Sequence, residues 1–206
     1  MKMNRSLSAG IIAGGKSTRM GEDKLLLTLD GETMLERLVR EFAPLSPVVS
    51  ASAQGLPFDP GIPVVCDENE EIGPIEGIRR ILATSVTDDV FCCAADMPFL
   101  TLDAALCLAK FRSPDHDCWL FTENGRLQPL CGIYSRSALP AAEEVVSEGR
   151  YAIRAMLDRI RTKLIPIEQT DLDPLIFRNI NTREDYLESA HCYRSSGQKP
   201  ASRNYP

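Results

Sequence analysis

Gly10-Ile11-Ile12-Ala13-Gly14-Gly15-Lys16-Ser17-Thr18-Arg19-Met20-Gly21-Glu22-Asp23-Lys24 is a glycine-rich run with three cations, and where its strand ends and its loop begins decides the fold. Gly10, Gly15, Lys16 and Ser17 satisfy the P-loop pattern G-x-x-x-x-G-K-[ST]. A P-loop needs an apolar strand that stops before its first glycine and a helix that opens at the lysine. The chain offers neither. Asn4 to Ala9 is poor strand core, while Ile11, Ile12 and Ala13 are apolar where the loop should be, and Gly21 falls in the second turn of the required helix. The reading that remains is a strand running through Gly10 to about Ala13, then a long open loop closed by Lys24. Glycines 14, 15 and 21 let backbone amides approach phosphate oxygens, and Lys16, Arg19 and Lys24 supply charge.

The rest of the composition agrees with a small anion rather than a polymer as ligand. The net charge is −6, which argues against a nucleic-acid polymer or an anionic membrane surface. Residues 1 to 24 run against that trend, with Lys2, Arg5, Lys16, Arg19 and Lys24 set against Glu22 and Asp23 for a local +3. The seven cysteines show no C-x-x-C spacing, sit mostly in apolar surroundings and read as reduced core thiols of a cytoplasmic protein. His116 and His191 stand without metal-ligand spacing, and no transmembrane span is expected. At 206 residues one α/β domain, residues 1–194, is expected, followed by a polar tail over 195–206 that reads as disordered.

Past the loop the periodicity alternates. Thr33-Met34-Leu35-Glu36 has the form of a capping box and predicts a helix over 33–43, ended by Pro44 and Pro47. Short strands are expected over 48–51 and 63–66, the second delivering Asp67 at its carboxyl end. Gly73-Pro74 opens a helix with Ile75, Ile78, Ile81 and Leu82 on one face, and Val90 to Ala94 reads as a buried central strand ending near Asp96. Helices near 102–111, 140–147 and 151–160, strands at 118–121, 127–134 and 163–167, and a last helix from Thr182 complete the pattern, with Asn124-Gly125 as a hairpin turn. The fold class is therefore α/β, a three-layer α/β/α arrangement on a mostly parallel, Rossmann-like sheet whose ligands sit beyond the carboxyl ends of the strands.

Asp96, at a strand end and followed by Met97-Pro98, is placed to share a Mg²⁺ ion with phosphate oxygens. The competing reading is a carboxylate that caps the helix after Thr101. Asp67 lies in the acidic stretch Asp67-Glu68-Asn69-Glu70-Glu71, which reads equally as solvated surface. No Ser-His-Asp or Cys-His arrangement is present, so the chemistry expected is attack by a substrate phosphate on the α-phosphate of a nucleoside triphosphate, with loss of pyrophosphate.

These residues resemble the molybdenum cofactor guanylyltransferases over residues 7 to 190. The resemblance is carried by Ile12-Ala13-Gly14-Gly15-x-Ser17-x-Arg19-Met20-Gly21-x-Asp23-Lys24, by Asp67 with Gly73-Pro74-x-x-Gly77-Ile78, and by Asp96-Met97-Pro98-Phe99. Pro129-Leu130-x-Gly132-x-Tyr134, Gly149-Arg150 and Asn179-Ile180-Asn181-Thr182 follow in order. The resemblance implies the nucleotidyltransferase fold, transfer of GMP from GTP to the molybdopterin cofactor, Mg²⁺ as cofactor, and protein partners that deliver the cofactor or mature molybdoenzymes. It implies Lys24, Asp96 and Arg19 as catalytic residues, with Asp96 on the metal. Ile12, Ala13, Gly14, Gly15, Lys24, Ser50, Asp67 and Asp96 would bind nucleotide, while Arg150 and Asn181 would line the acceptor side.

Glycine at both 14 and 15 resembles the guanylyl branch, whereas cytidylyl relatives tend to have alanine first. Three positions depart from the pattern: Glu76 replaces a small or apolar residue, Gln128 replaces a basic one, and Ser50 stands where an asparagine is usual. A cytidylyltransferase of the same cofactor, another nucleotidyltransferase of this fold, and a non-catalytic nucleotide-binding regulator remain the alternatives.

Overall fold

The structure is a computed structural model and describes residues 6–14, 24–69 and 72–195. Strand β1 spans Leu7–Ile12, so it does run through Gly10, and the P-loop reading falls on that point alone. A Cβ at Gly10 would stand 2.7 Å from Ile81 Cγ2, so glycine here admits a helix against the strand rather than a phosphate. The rest of the loop, residues 15–23 with Gly15 and Arg19, lies outside the described residues.

A small hairpin, β2 (Thr28–Leu29) and β3 (Glu32–Thr33), follows. Its turn is Asp30-Gly31, with φ of 55° and 82°, a D-G hairpin signal that the sequence itself carries. Helix α1 (Met34–Glu41) opens on the expected capping box: Thr33 Oγ1 accepts from the Glu36 amide while the Glu36 carboxylate accepts from the Thr33 amide. Strands β4 (Val48–Ala51) and β5 (Val64–Cys66), helix α2 (Pro74–Thr84) and strand β6 (Asp89–Ala94) fall where the pattern puts them. Then come α3 (Leu102–Ala109), β7 (Cys118–Glu123), β8 (Arg126–Ser135), α4 (Leu139–Ser147), α5 (Ile153–Leu157), β9 (Thr162–Pro166) and α6 (Arg183–Ser195). Helix α5 is half the expected length, since the chain leaves the helix after Leu157 in order to enter β9. Of the expected tail, Ser195 ends α6 and residues 196–206 lie outside the description.

The main sheet has the order β5-β4-β1-β6-β8-β7-β9. Only β8 runs against the rest, pairing antiparallel with both β6 and β7. Period-two alternation sends Ala9, Ile11, Phe91, Cys93, Trp119 and Phe121 to the face covered by α1 and α3. Ile12, Val90, Cys92, Cys118 and Leu120 go to the face covered by α2, α4 and α5. Three layers result, with β1 and β6 buried on both sides as a parallel interior requires. The chain moves outward through β1, β4 and β5 and then returns to β6 on the other side of β1. That reversal opens the crevice at the carboxyl ends of β1 and β6 where ligands bind in such sheets.

Candidate active site

The carboxyl edge of the sheet brings four segments together. Past β1, the Ala13 amide donates to Ser50 O at 2.8 Å, and past β5 the Asp67 amide donates to Ala51 O at 2.9 Å. These two bonds extend the ladder beyond the strands and place Gly14 and Asp67 side by side, the missing Cβ of Gly14 being 3.3 Å from Asp67 Oδ2. On the other side, the Ala95 amide donates to Ile12 O at 2.9 Å and carries the chain to Asp96. Ile12, Ala13, Gly14, Asp67 and Asp96 therefore meet at one edge, as expected. Lys24 begins a short 3₁₀ turn, Lys24–Leu26, at the return of the loop.

Ser50 is fully buried inside β4, and its hydroxyl donates to Asp67 Oδ1 at 3.2 Å. Its visible work is to hold a carboxylate rather than to face a ligand. Burial pushes the Asp67 carboxyl above its ordinary value; the Ser50 hydrogen bond opposes this, the Glu76 charge adds to it, and Arg80 and Arg79 counter it.

Asp96 is half-buried, and its carbonyl accepts from the Ile180 amide at 2.9 Å. That bond brings Asn181 to the same edge, on a turn in which Asp185 Oδ2 accepts from the amides of Asn181 (3.0 Å) and Thr182 (2.8 Å) ahead of α6. The segment after Asp96 is gripped from α1. Buried Arg37 donates to Pro98 O, and Glu41 accepts from the Leu102 amide at 2.8 Å. The first free amide of α3 is thus capped by Glu41, a role that the competing reading gave to Asp96. Arg37 and Glu41 were invisible as site supports in sequence, because their spacing on α1 also fits an ordinary helix face.

A family model described as MobA-like NTP transferase domain matches residues 9–164. The chain belongs to the MobA-like NTP transferase family. A probable molybdenum cofactor guanylyltransferase of Carboxydothermus hydrogenoformans is 30% identical, the match covering 88% of this chain and 94% of that one. A molybdenum cofactor guanylyltransferase of Syntrophotalea carbinolica is 34% identical, over 87% of this chain and 88% of its own. Among solved structures, molybdopterin-guanine dinucleotide biosynthesis protein A of Archaeoglobus fulgidus superposes with a TM-score of 0.79 at 21% identity, over 91% of this chain and 99% of that one. The protein is accordingly a nucleotidyltransferase on the Rossmann-like sheet described above.

Within this MobA-like chain the later motifs have structural roles of their own. Pro129-Leu130 sits in a bulge, since the β7–β8 register jumps from Leu120↔Gly132 to Thr122↔Leu127. A proline that cannot donate to the ladder is at home there. Buried Tyr134 donates its hydroxyl to Pro129 O at 2.6 Å and closes the bulge. Gly149, with φ of 73°, ends α4 in the left-handed region, and the Arg150 amide returns to Val145 O. The Arg150 side chain is exposed, 3.9 Å from Glu148.

The departure at Glu76 also has a physical reason. Its carboxylate, fully buried in the first turn of α2, accepts from the amides of Glu68 (2.9 Å) and Asn69 (3.1 Å) and takes a two-point pair from Arg79 at 2.8 Å. The cysteines divide. Cys92, Cys93, Cys118 and Cys131 are buried free thiols, Cys107 is half-buried, and Cys66 is exposed at the end of β5, outside the core that the sequence led one to expect. No helix among the described residues is long and apolar enough to cross a membrane.

Proposed function

We propose that this protein transfers GMP from GTP to the terminal phosphate of the molybdopterin cofactor, releasing pyrophosphate and forming the guanine dinucleotide. The observation that carries the reading is the meeting of Gly14, Asp67 and Asp96 at the switch point of the sheet, in a chain whose relatives bear the guanylyltransferase name.

In this reading the acceptor phosphate is already a nucleophile, so the protein need supply no general base. It attacks the α-phosphorus of GTP in line, the bond to the β-phosphate oxygen breaks, and the electron pair leaves with pyrophosphate. Gly14, free of a Cβ, leaves room for the Asp67 carboxylate to lie against the backbone past β1, where both face the nucleotide. Gly15, Lys16, Arg19 and Lys24 draw the phosphates in by charge and amide contact. Asp96 fits a Mg²⁺ ion that arrives with the nucleotide. It offers one carboxylate at a strand end, and among the described residues no three His, Cys, Asp or Glu side chains group to hold a metal unaided. When bound, the ion neutralises charge on the triphosphate and its leaving group. Asn181, next to the Ile180 amide that is bonded to Asp96, and Arg150 serve the acceptor phosphate.

The buried free thiols support work in a reducing compartment, the cytoplasm, and residues 1–194 act as one domain. Proteins that deliver the cofactor and receive the product are the natural partners.

Pyrophosphate release tests the reading. The protein with Mg²⁺ should release it from GTP only when molybdopterin cofactor is present. Preference for CTP would move it to the cytidylyl branch, and tight GTP binding without release would make it a regulator.

A further inference from the structure

We infer that Glu76 is a positioning residue for Asp67: it fixes the Asp67 carboxylate in the nucleotide site by anchoring the two amides that follow it. The inference rests on the functional reading above, in which Asp67 holds nucleotide.

The geometry is specific. Asp67 stands just past the end of β5, with its own amide tied to β4. The next two amides, Glu68 and Asn69, converge on the single oxygen Oε1 of Glu76, which also accepts from the Asn69 side chain at 3.3 Å. Amides converging on one carboxylate oxygen form a small anion nest, here filled from within the protein. Glu76 is rigid in turn. It occupies the first turn of α2, where the helix dipole favours a carboxylate, and Arg79 grips it with Nε and Nη2.

Glu68 completes the frame from the loop side. It accepts from Arg79 Nη2 at 2.6 Å and pairs with Arg80, whose Nε donates to Cys66 O at 2.9 Å. The Asp67 turn is thus tied to α2 through Glu76, Arg79 and Arg80. Gly77, next along α2, packs so closely that a Cβ there would stand 2.9 Å from both Ser50 Oγ and Ile12 Cγ2. Helix α2 therefore locates both partners of Asp67: Ser50 by contact, and the Glu68–Asn69 turn by hydrogen bonds.

A merely structural ion pair would place Glu76 and Arg79 together but would leave the amides after Asp67 to solvent. The proposal is tested on wild type, Glu76→Gln, Asp67→Ala and the double variant, each shown to be folded by its thermal melt. GTP affinity with Mg²⁺ is measured by calorimetry, and amide exchange of Glu68 and Asn69 is measured without nucleotide. Glu76→Gln should raise the GTP Kd by about 3- to 10-fold, as loss of charge-assisted bonds does, and should speed both exchanges. At saturating GTP its kcat should change less than about 2-fold, whereas KM rises.

In the Asp67→Ala background Glu76→Gln should add nothing to the Kd. Full additivity, or Glu68 and Asn69 amides exchanging at the wild-type rate, would overturn the proposal. Should the wild-type protein bind no GTP, the functional reading falls and the exchange measurement alone decides whether Glu76 holds the turn. If Glu76→Gln does not fold, Arg79→Gln releases the same carboxylate and carries the same comparison.

Discussion

Oδ2 of Asp67 lies 3.3 Å from the point where a Cβ on Gly14 would stand. A methyl group there fits only if the carboxylate gives way by a few tenths of an ångström, and Asp67 is held by Ser50 and by the turn anchored on Glu76. Gly14→Ala should therefore disturb nucleotide binding rather than folding. The expected outcome is a rise in the KM for GTP of about 5-fold, the worth of roughly one hydrogen bond, with little change in kcat or melting temperature. Steady-state pyrophosphate release at varied GTP checks it; an unchanged KM would remove this contact from the nucleotide site.

Asp96→Asn keeps the size of the side chain and removes the charge that a Mg²⁺ ion would need. The carbonyl bond to the Ile180 amide and the grip of Arg37 and Glu41 on the following segment remain. Turnover should fall by at least about 100-fold, the scale of losing one transition-state electrostatic contact. The melting temperature should stay within about 2 °C. Retained activity would take Asp96 out of the metal site.

Lys24 ends the glycine-rich loop, and its backbone enters the 3₁₀ turn that leads to β2. The proposed function gives the phosphate contact to Lys24, the lysine that the family motif carries, whereas the motif leaves position 16 open. Lys24→Ala should therefore raise the KM for GTP more than Lys16→Ala does. The reverse ranking, measured in the same assay, would restore importance to the GKS pattern.

The sheet was legible because its strands are short apolar runs set off by turn and helix signals. Val90 to Ala94 is apolar at every position and could only be central, and Pro74 and Thr33 marked helix starts by their own bonding limits. Asp67 and Asp96 were legible as strand-end carboxylates for the same reason. Long-range supports were not. Arg37 reaches Pro98 across 61 residues, and the Ile180 amide reaches Asp96 from the far end of the chain, contacts that no local period encodes. Glu76 stood out in sequence only as a misfit, since a buried carboxylate is explained by its partners and those lie on a neighbouring loop.

Gly132 faces Leu120 across the β7–β8 pair, just before the register jump. A Cβ on it would come within 2.2 Å of Leu120 Cδ2 and 3.1 Å of Trp119 O, the second of which is backbone and cannot step aside. Gly132→Ala should cost about 1–3 kcal/mol, as overpacking a core does, and lower the melting temperature by about 2–10 °C. Leu120→Ala should partly rescue it, so the two changes together should cost less than their sum. Additive losses would place the strain at Trp119 O instead.

The last prediction concerns acid. Burial would raise the Glu76 carboxyl, but the Arg79 pair and the amides of Glu68 and Asn69 outweigh it and hold the group at about 2, against an ordinary 4.5. A carboxylate whose folded value is depressed stabilises the fold fully above its unfolded value and loses that contribution as pH falls through the folded one. The stability difference between wild type and Glu76→Gln should therefore be constant above pH 5, shrink between about 4.5 and 2, and nearly vanish below that window. Urea unfolding of both proteins from pH 7 to pH 2 measures it. A difference that stays constant through that range would mean that Glu76 stabilises by shape and not by charge, and that the amides of Glu68 and Asn69 are held by something else.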